Sequence, residues 1–211
     1  MYAVLNDHVD VLEALLKAGR NAGVDVNART GKEGWTPLMF AAANAKDTKL
    51  LELLLEASAD VHAKSKRGRT PLIYAARYNP RAEVLRALLP DADAELSKLI
   101  NAQDEQGRTP LIYAAWKNTD EVLSELLELL NAETNKHIMD RKDCKGKRAL
   151  DYARENEKLK GTEALRLLEE KTGPSPEERK RATEELLKTA GKAEPEKVRQ
   201  LIQDGANVNA K

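Results

Sequence analysis

One short segment recurs along this chain with little change. Copies begin at residues 36, 70 and 109 and read TPLMFAA, TPLIYAA and TPLIYAA, and an altered copy, RALDYA, begins at residue 148. The interval is therefore 34 residues once and 39 residues twice. A period in this range is typical of a solenoid, in which each unit buries its apolar side chains against its neighbours.

Each of the three copies that begin with Thr-Pro has the pattern of a helix start. Thr occupies the N-cap position, where its hydroxyl accepts from an amide of the first turn, and Pro follows at the first helical position, where no amide is needed. A second apolar stretch at helical spacing follows each first helix. We predict six helix pairs, whose second helices begin near Val11, Leu50, Val84, Val122, Ala164 and Val198.

A short link and a glycine turn separate the pairs. We predict extended links at residues 25–28, 60–63, 100–102 and 207–210. Each turn carries a glycine two residues before the repeated segment or its altered copy, where a tight turn requires a positive φ; these are Gly34, Gly68, Gly107 and Gly146. The longer intervals indicate insertions after second helices, at about residues 20–23, 92–98 and 132–137.

Together these features resemble the ankyrin repeat, over residues 1–170 and again in altered form over 177–211. The resemblance implies an all-α solenoid of about six helix-turn-helix units linked by β-hairpin-like turns. The family's usual His after Thr-Pro-Leu is absent, because Met39, Ile73, Ile112 and Asp151 stand in its place. The hydrogen bonds of that His must be replaced or missing.

The pattern divides the chain into three parts. Residues 1–170 form the array, with a truncated first unit, residues 171–176 form a Pro-containing linker, and residues 177–211 form a cap-like helical pair. The spacing predicts that this pair stacks in line on the array. The alternative is that it covers the open first unit of another copy, so that copies associate head to tail.

Composition and motif searches favour no catalytic chemistry. Lys plus Arg and Asp plus Glu number 35 each, so no net charge favours nucleic acid or an anionic membrane. His8, His62 and His137 lie in different units and predict no metal site, and Cys144 is interpreted as a turn cysteine. We expect a non-catalytic, cytoplasmic protein without cofactor, membrane segment or signal peptide.

The remaining function is binding through the turn tips and the ends of the first helices. Both tryptophans fall there, and Trp, Tyr and Arg are enriched in binding hot spots. The predicted partner-binding residues are Trp35, Lys66, Arg67, Arg69, Arg77, Tyr78, Arg108, Trp116, Lys117 and Lys145. A protein partner is favoured; nucleic acid on the basic turns is a weaker alternative, and an engineered or rearranged array without a natural ligand is another.

Overall fold

The computed structural model describes residues 2–6, 8–22, 24–89, 93–130, 137–174, 176–189 and 195–206. The chain forms two compact units, residues 1–166 and residues 167–211. The boundary falls inside one helix.

The described residues form helices and turns, and no β-strand is present among them. The helices of the first unit are α1 Tyr2–Leu5, α2 Val9–Ala22, α3 Pro37–Asn44, α4 Lys49–Glu56, α5 Pro71–Tyr78, α6 Ala82–Arg86, α7 Asp93–Ile100, α8 Pro110–Lys117, α9 Asp120–Leu129, α10 Ala149–Glu155 and a 3₁₀ helix at Glu157–Leu159. Helix α11, Glu163–Thr172, crosses the unit boundary, and α12 Pro176–Thr189 and α13 Pro195–Gln203 follow. All six predicted second-helix positions lie in helices, so the all-α prediction is confirmed. No helix of the described residues combines the length and apolarity that a membrane crossing requires.

The first helices begin as the repeated segment predicts. The hydroxyls of Thr36, Thr70 and Thr109 accept from the amides three residues later, at 3.4, 3.4 and 3.2 Å. Helix α10 begins differently, because Arg148 replaces the Thr; its amide donates to the Asp151 carboxylate at 2.7 Å. The repeated Thr is therefore a helix cap.

The core of the first unit lies where consecutive first helices pack. Helix α5 contacts α3 on one side and α8 on the other. Ala75, Ala76, Ala114 and Ala115 are at most 1% exposed. Small side chains let the helices approach closely, so the alanine pair of each repeated segment sets the spacing between units.

Ala75→Leu tests this packing. The added side chain has no space between α3 and α8, and we expect the free energy of unfolding to fall by about 1–3 kcal/mol. Chemical denaturation followed by far-UV circular dichroism measures the change. Ala14→Leu, at an exposed position of α2, is the matched control; equal stability of the two variants would show that the assigned packing is wrong.

One predicted insertion is a helix. The segment after α6 was expected to be an insertion at residues 92–98 followed by an extended link at 100–102, but α7 runs from Asp93 to Ile100. Leu99 and Ile100 are buried, so the extended link at Ile100 is a wrong prediction. Apolar side chains on one face of this short segment make a helix the conformation that buries them. Residues 20–22 continue α2, whereas 132–136 and the predicted link at 207–210 lie outside the described residues.

The second unit is a helical pair of its own. Helices α12 and α13 contact each other, with Ala182 and Leu201 buried. Gly205, after α13, has a φ of 87°, as expected for the glycine that ends a helix. Whether this pair stacks in line or covers another copy remains a prediction, as does the division at residues 171–176.

Candidate binding surface

The turns of the first unit are joined tip to tip. Each turn donates a backbone amide to a carbonyl of the preceding turn: Lys66 to Glu33 at 3.0 Å, Glu105 to Arg67 at 3.1 Å and Cys144 to Gln106 at 2.9 Å. Gly68 has a φ of 72°, and an added Cβ there would lie 3.1 Å from the Glu105 amide. The glycine is therefore needed both for the turn and for the contact with the next one.

A buried carboxylate organises the turn before α8. Asp104 accepts hydrogen bonds from the Gln106 and Arg108 amides at 2.9 and 3.0 Å. It also accepts from the Tyr113 hydroxyl at 2.6 Å and from Nε of Arg69, in the preceding unit, at 3.3 Å. One side chain thus closes its own turn and ties it to the preceding one.

The next turn repeats this arrangement. Asp143 accepts from the Lys145 and Lys147 amides, from the Tyr152 hydroxyl at 2.7 Å and from Arg108 Nε at 3.2 Å. Burial alone would raise the pKa of Asp143, but these hydrogen bonds outweigh it and hold the pKa below its ordinary value. Burial and the Asp143 carboxylate raise the pKa of Tyr152 to about 12.

Tyrosines next to the position of the missing His connect the first helices to the turns. Tyr113 and Tyr152, one position after it, donate to the turn carboxylates, and Tyr74 donates to the Ser65 hydroxyl at 3.2 Å. A tyrosine hydroxyl therefore supplies the bond between first helix and turn in three units.

Two of the predicted partner-binding residues, Arg69 and Arg108, are buried. They are 7% and 5% exposed and form ion pairs with Asp104 and Asp143 of the next unit. Because both guanidinium groups bind carboxylates of the next unit, the proposed contact surface does not include these two residues.

Sequence reasoning missed a second row of polar residues, of which Asn79 and Asn118 are buried and Asn156 is half-buried. Asn118 Nδ2 donates to the carbonyls of Ala76 and Asn79 at 2.9 and 2.8 Å, and Asn156 Nδ2 donates to those of Ala115 and Asn118 at 3.0 and 3.3 Å. Asn79 likewise donates to the carbonyl of residue 45 at 2.9 Å. These carbonyls lie at helix ends, where intrahelical partners run out. The signal was an Asn directly after three of the first helices.

Aromatic side chains form two groups at the turns and first-helix ends. In the first group the Trp35 ring lies 4.1 Å from Tyr74 and 4.7 Å from Phe40, and Tyr74 lies 6.2 Å from Tyr78. Trp35 and Phe40 are half-buried and, with residues 30, 32 and 33, line a shallow depression of about 330 Å³.

The second group joins α8 to α10. The Trp116 ring lies 6.2 Å from Tyr113 and 5.2 Å from Tyr152. The Arg77 guanidinium bridges the two groups, with its carbon 4.9 Å from the Tyr78 ring and 5.7 Å from the Trp116 ring. Trp116 is therefore half-buried in the stack, whereas Tyr78 remains 48% exposed.

The structure brings four of the predicted residues together. Arg77 and Trp116 are half-buried, Lys117 is exposed and Tyr78 is 48% exposed, and contacts to rings connect all four. We call these four residues the aromatic–cation surface.

The other predicted residues lie on the turns. Lys66 and Arg67 are exposed, and they contact the preceding turn through the Gly31 carbonyl at 3.0 Å and Glu33 at 3.2 Å. Lys145 is exposed on the turn before α10. No hydrogen bond, ion pair or ring contact joins Lys145 to the four residues of the aromatic–cation surface.

The titratable side chains form no metal-binding arrangement in the described part of the chain. His62 Nε2 lies 2.8 Å from Glu95 Oε2, at the inserted helix α7. Cys144 is exposed with a free thiol.

A family model described as ankyrin repeats (three copies) matches residues 1–98 and 39–138. Human 2-5A-dependent ribonuclease is 40% identical over 74 residues, which are 35% of this chain and 9% of that protein. The mouse fibronectin type 3 and ankyrin repeat domains 1 protein is 50% identical over 46 residues, 22% of this chain and 13% of that protein. The matched stretch is thus a small part of either relative.

Proposed function

This chain belongs to the ankyrin-repeat family, and from that premise we propose that it is a non-catalytic scaffold for protein–protein interaction. It binds its partner through the turn tips and first-helix ends. The observation that carries this proposal is the aromatic–cation surface, where Arg77, Tyr78, Trp116 and Lys117 converge from two neighbouring units. Arg, Tyr and Trp are the residue types most enriched in the hot spots of protein interfaces.

Packing between the units favours binding because it fixes the side chains of this surface before the partner binds. The Asn118 side chain fastens the end of α5 to the end of α8, and these two ends carry the surface. Ordering side chains on binding costs about 0.5–1.5 kcal/mol for each long side chain. A surface already ordered by its neighbours avoids part of that cost.

The similarity to these relatives gives no reason to assign an enzymatic activity to this chain. One of them is named a ribonuclease, but only 9% of its length matches this chain. With Cys144 as its one cysteine the chain can form no internal disulfide, which is compatible with the cytoplasmic location that we propose.

The test compares two double variants. Arg77→Ala with Trp116→Ala removes the centre of the surface, and we expect the affinity for a captured protein partner to fall at least tenfold, about 1.4 kcal/mol, with helix content retained. Glu83→Ala with Glu121→Ala, at exposed positions of α6 and α9, is the control and should bind like the original chain.

The affinity is measured by titrating each variant against the captured partner immobilised on a surface. Unchanged affinity in the first variant would refute the assigned surface. Failure to capture any protein whose binding is weakened by the first double variant would favour an array without a natural ligand.

A further inference from the structure

We propose that the partner is recognised through an acidic side chain. Arg77 and Lys117 receive a carboxylate of the partner, and an apolar side chain next to that carboxylate packs on the exposed parts of Tyr78 and Trp116. This inference rests on the proposed function of the aromatic–cation surface and names the chemistry of its partner.

Arg77 is held in place but lacks an anion. Its guanidinium carbon lies 4.9 Å from the Tyr78 ring, 5.0 Å from the Tyr113 ring and 5.7 Å from the Trp116 ring. Its Nε is buried without a hydrogen-bond partner. No carboxylate of the described residues forms an ion pair with it, so the outer nitrogens of a fixed guanidinium remain available.

Lys117 adds a second uncompensated charge beside the same ring. Its ammonium lies 4.5 Å from the Trp116 ring centre, and the described residues provide it with no ion-pair partner. Other ring-stacked cations of this unit are neutralised: Arg108 pairs with Asp143, and Lys147 pairs with Glu155 at 2.5 Å.

The helix dipole explains only part of this arrangement. A cation in the last turn of α5 or α8 is favoured by the partial negative charge there. That effect needs no aromatic contact, whereas Arg77 is placed against three rings. A guanidinium held by rings is suited to bidentate binding of a carboxylate, because its geometry is fixed before the partner arrives.

Partial burial strengthens an ion pair between these cations and a carboxylate of the partner. Charges at a half-buried site are screened less by water and salt than charges on an open surface. The rings beside the two cations also offer apolar area to the residue next to the acid. The site therefore favours acidic and apolar side chains in adjacent positions of one segment.

The charge pattern favours a protein carboxylate over nucleic acid. Nucleic-acid affinity grows with the number of phosphates neutralised, and this surface offers two uncompensated cations in a chain with 35 positive and 35 negative side chains. The exposed carboxylate of Glu105 lies on the turn between Arg67 and the α8 helix, where it would repel a continuing row of phosphates.

The test is a selection from a random displayed library of short peptides against the purified full chain. We expect the selected peptides to be enriched in Asp or Glu next to an apolar residue. Arg77→Met keeps the stem that packs on the rings and removes the charge, and it should weaken their binding about tenfold or more. Arg81→Met, an exposed arginine in the loop after α5, should leave it unchanged.

Replacing the peptide acid by its amide completes a double-mutant cycle. The amide should weaken binding to the original chain and have little effect on Arg77→Met. Peptides that depend on Trp116 but show no acidic enrichment, or no loss with Arg77→Met, would overturn the inference and leave the proposed function standing. Peptides that ignore Trp116→Ala would contradict both. Tighter, competitive binding of a single-stranded oligonucleotide would also overturn the inference, in favour of phosphate.

Discussion

Asp143→Ala is expected to lower the free energy of unfolding by about 3–5 kcal/mol, because it leaves the Arg108 charge buried without a partner. The Arg108 side chain is 6% exposed and that of Asp143 is fully buried. The same substitution leaves the Tyr152 hydroxyl and two turn amides without their acceptor. Urea denaturation followed by circular dichroism measures the loss.

A neighbouring substitution serves as the control. Lys142 is exposed next to Asp143, and Lys142→Ala should change stability by no more than about 0.5 kcal/mol. A similarly small change in Asp143→Ala would mean that the carboxylate is not the connection between the two turns.

The same carboxylate gives a stability contribution with a defined pH window. Because the folded pKa of Asp143 is depressed, its contribution is fully present above the ordinary value of 3.8 and is lost as the pH falls through the folded pKa. The stability difference between the original chain and Asp143→Asn should therefore be constant near neutral pH and shrink below about pH 4. A difference that grows in acid would contradict the assigned direction.

Asn118→Ala is expected to cost about 2–6 kcal/mol, since it leaves two helix-end carbonyls without a donor, each at about 1–3 kcal/mol. These carbonyls, of Ala76 and Asn79, belong to the preceding unit. The loss should therefore appear as weaker coupling between units, with a broader unfolding transition as well as a lower midpoint.

Asn44→Ala is the matched control for that prediction. Asn44 is exposed and its side chain donates to Phe40 within its own helix at 3.0 Å, so no neighbouring unit depends on it. We expect a change within about 0.5 kcal/mol. Equal losses at the two positions would show that the buried asparagines do not connect units.

The repeating pattern predicts the first helices well because their determinants are local. A Thr cap followed by Pro starts α3, α5 and α8 at the expected residues. Helix α7 could not be placed in the same way, since it departs from the period and is stabilised by burial of Leu99 and Ile100. Burial of that kind depends on neighbours that a local pattern does not specify.

Only part of the candidate surface could be predicted from the sequence, because the burial of some of its predicted residues depends on side chains of the next unit. Arg77, Tyr78, Trp116 and Lys117 converge as their repeat positions suggest, but Arg69 and Arg108 are buried. Their opposite charges lie 35 residues further on, at Asp104 and Asp143. That offset is about one repeat, so the signal was present as a recurring long-range pair rather than as a local motif.

The most direct test of the account is a footprint of a bound protein partner on the isotopically labelled chain, read from backbone amide shifts. We expect the largest changes at the ends of α5 and α8, around Arg77, Tyr78, Trp116 and Lys117, and smaller ones in the adjoining turns. Changes confined to the outer faces of α4, α6 and α9, with those four residues unaffected, would contradict it.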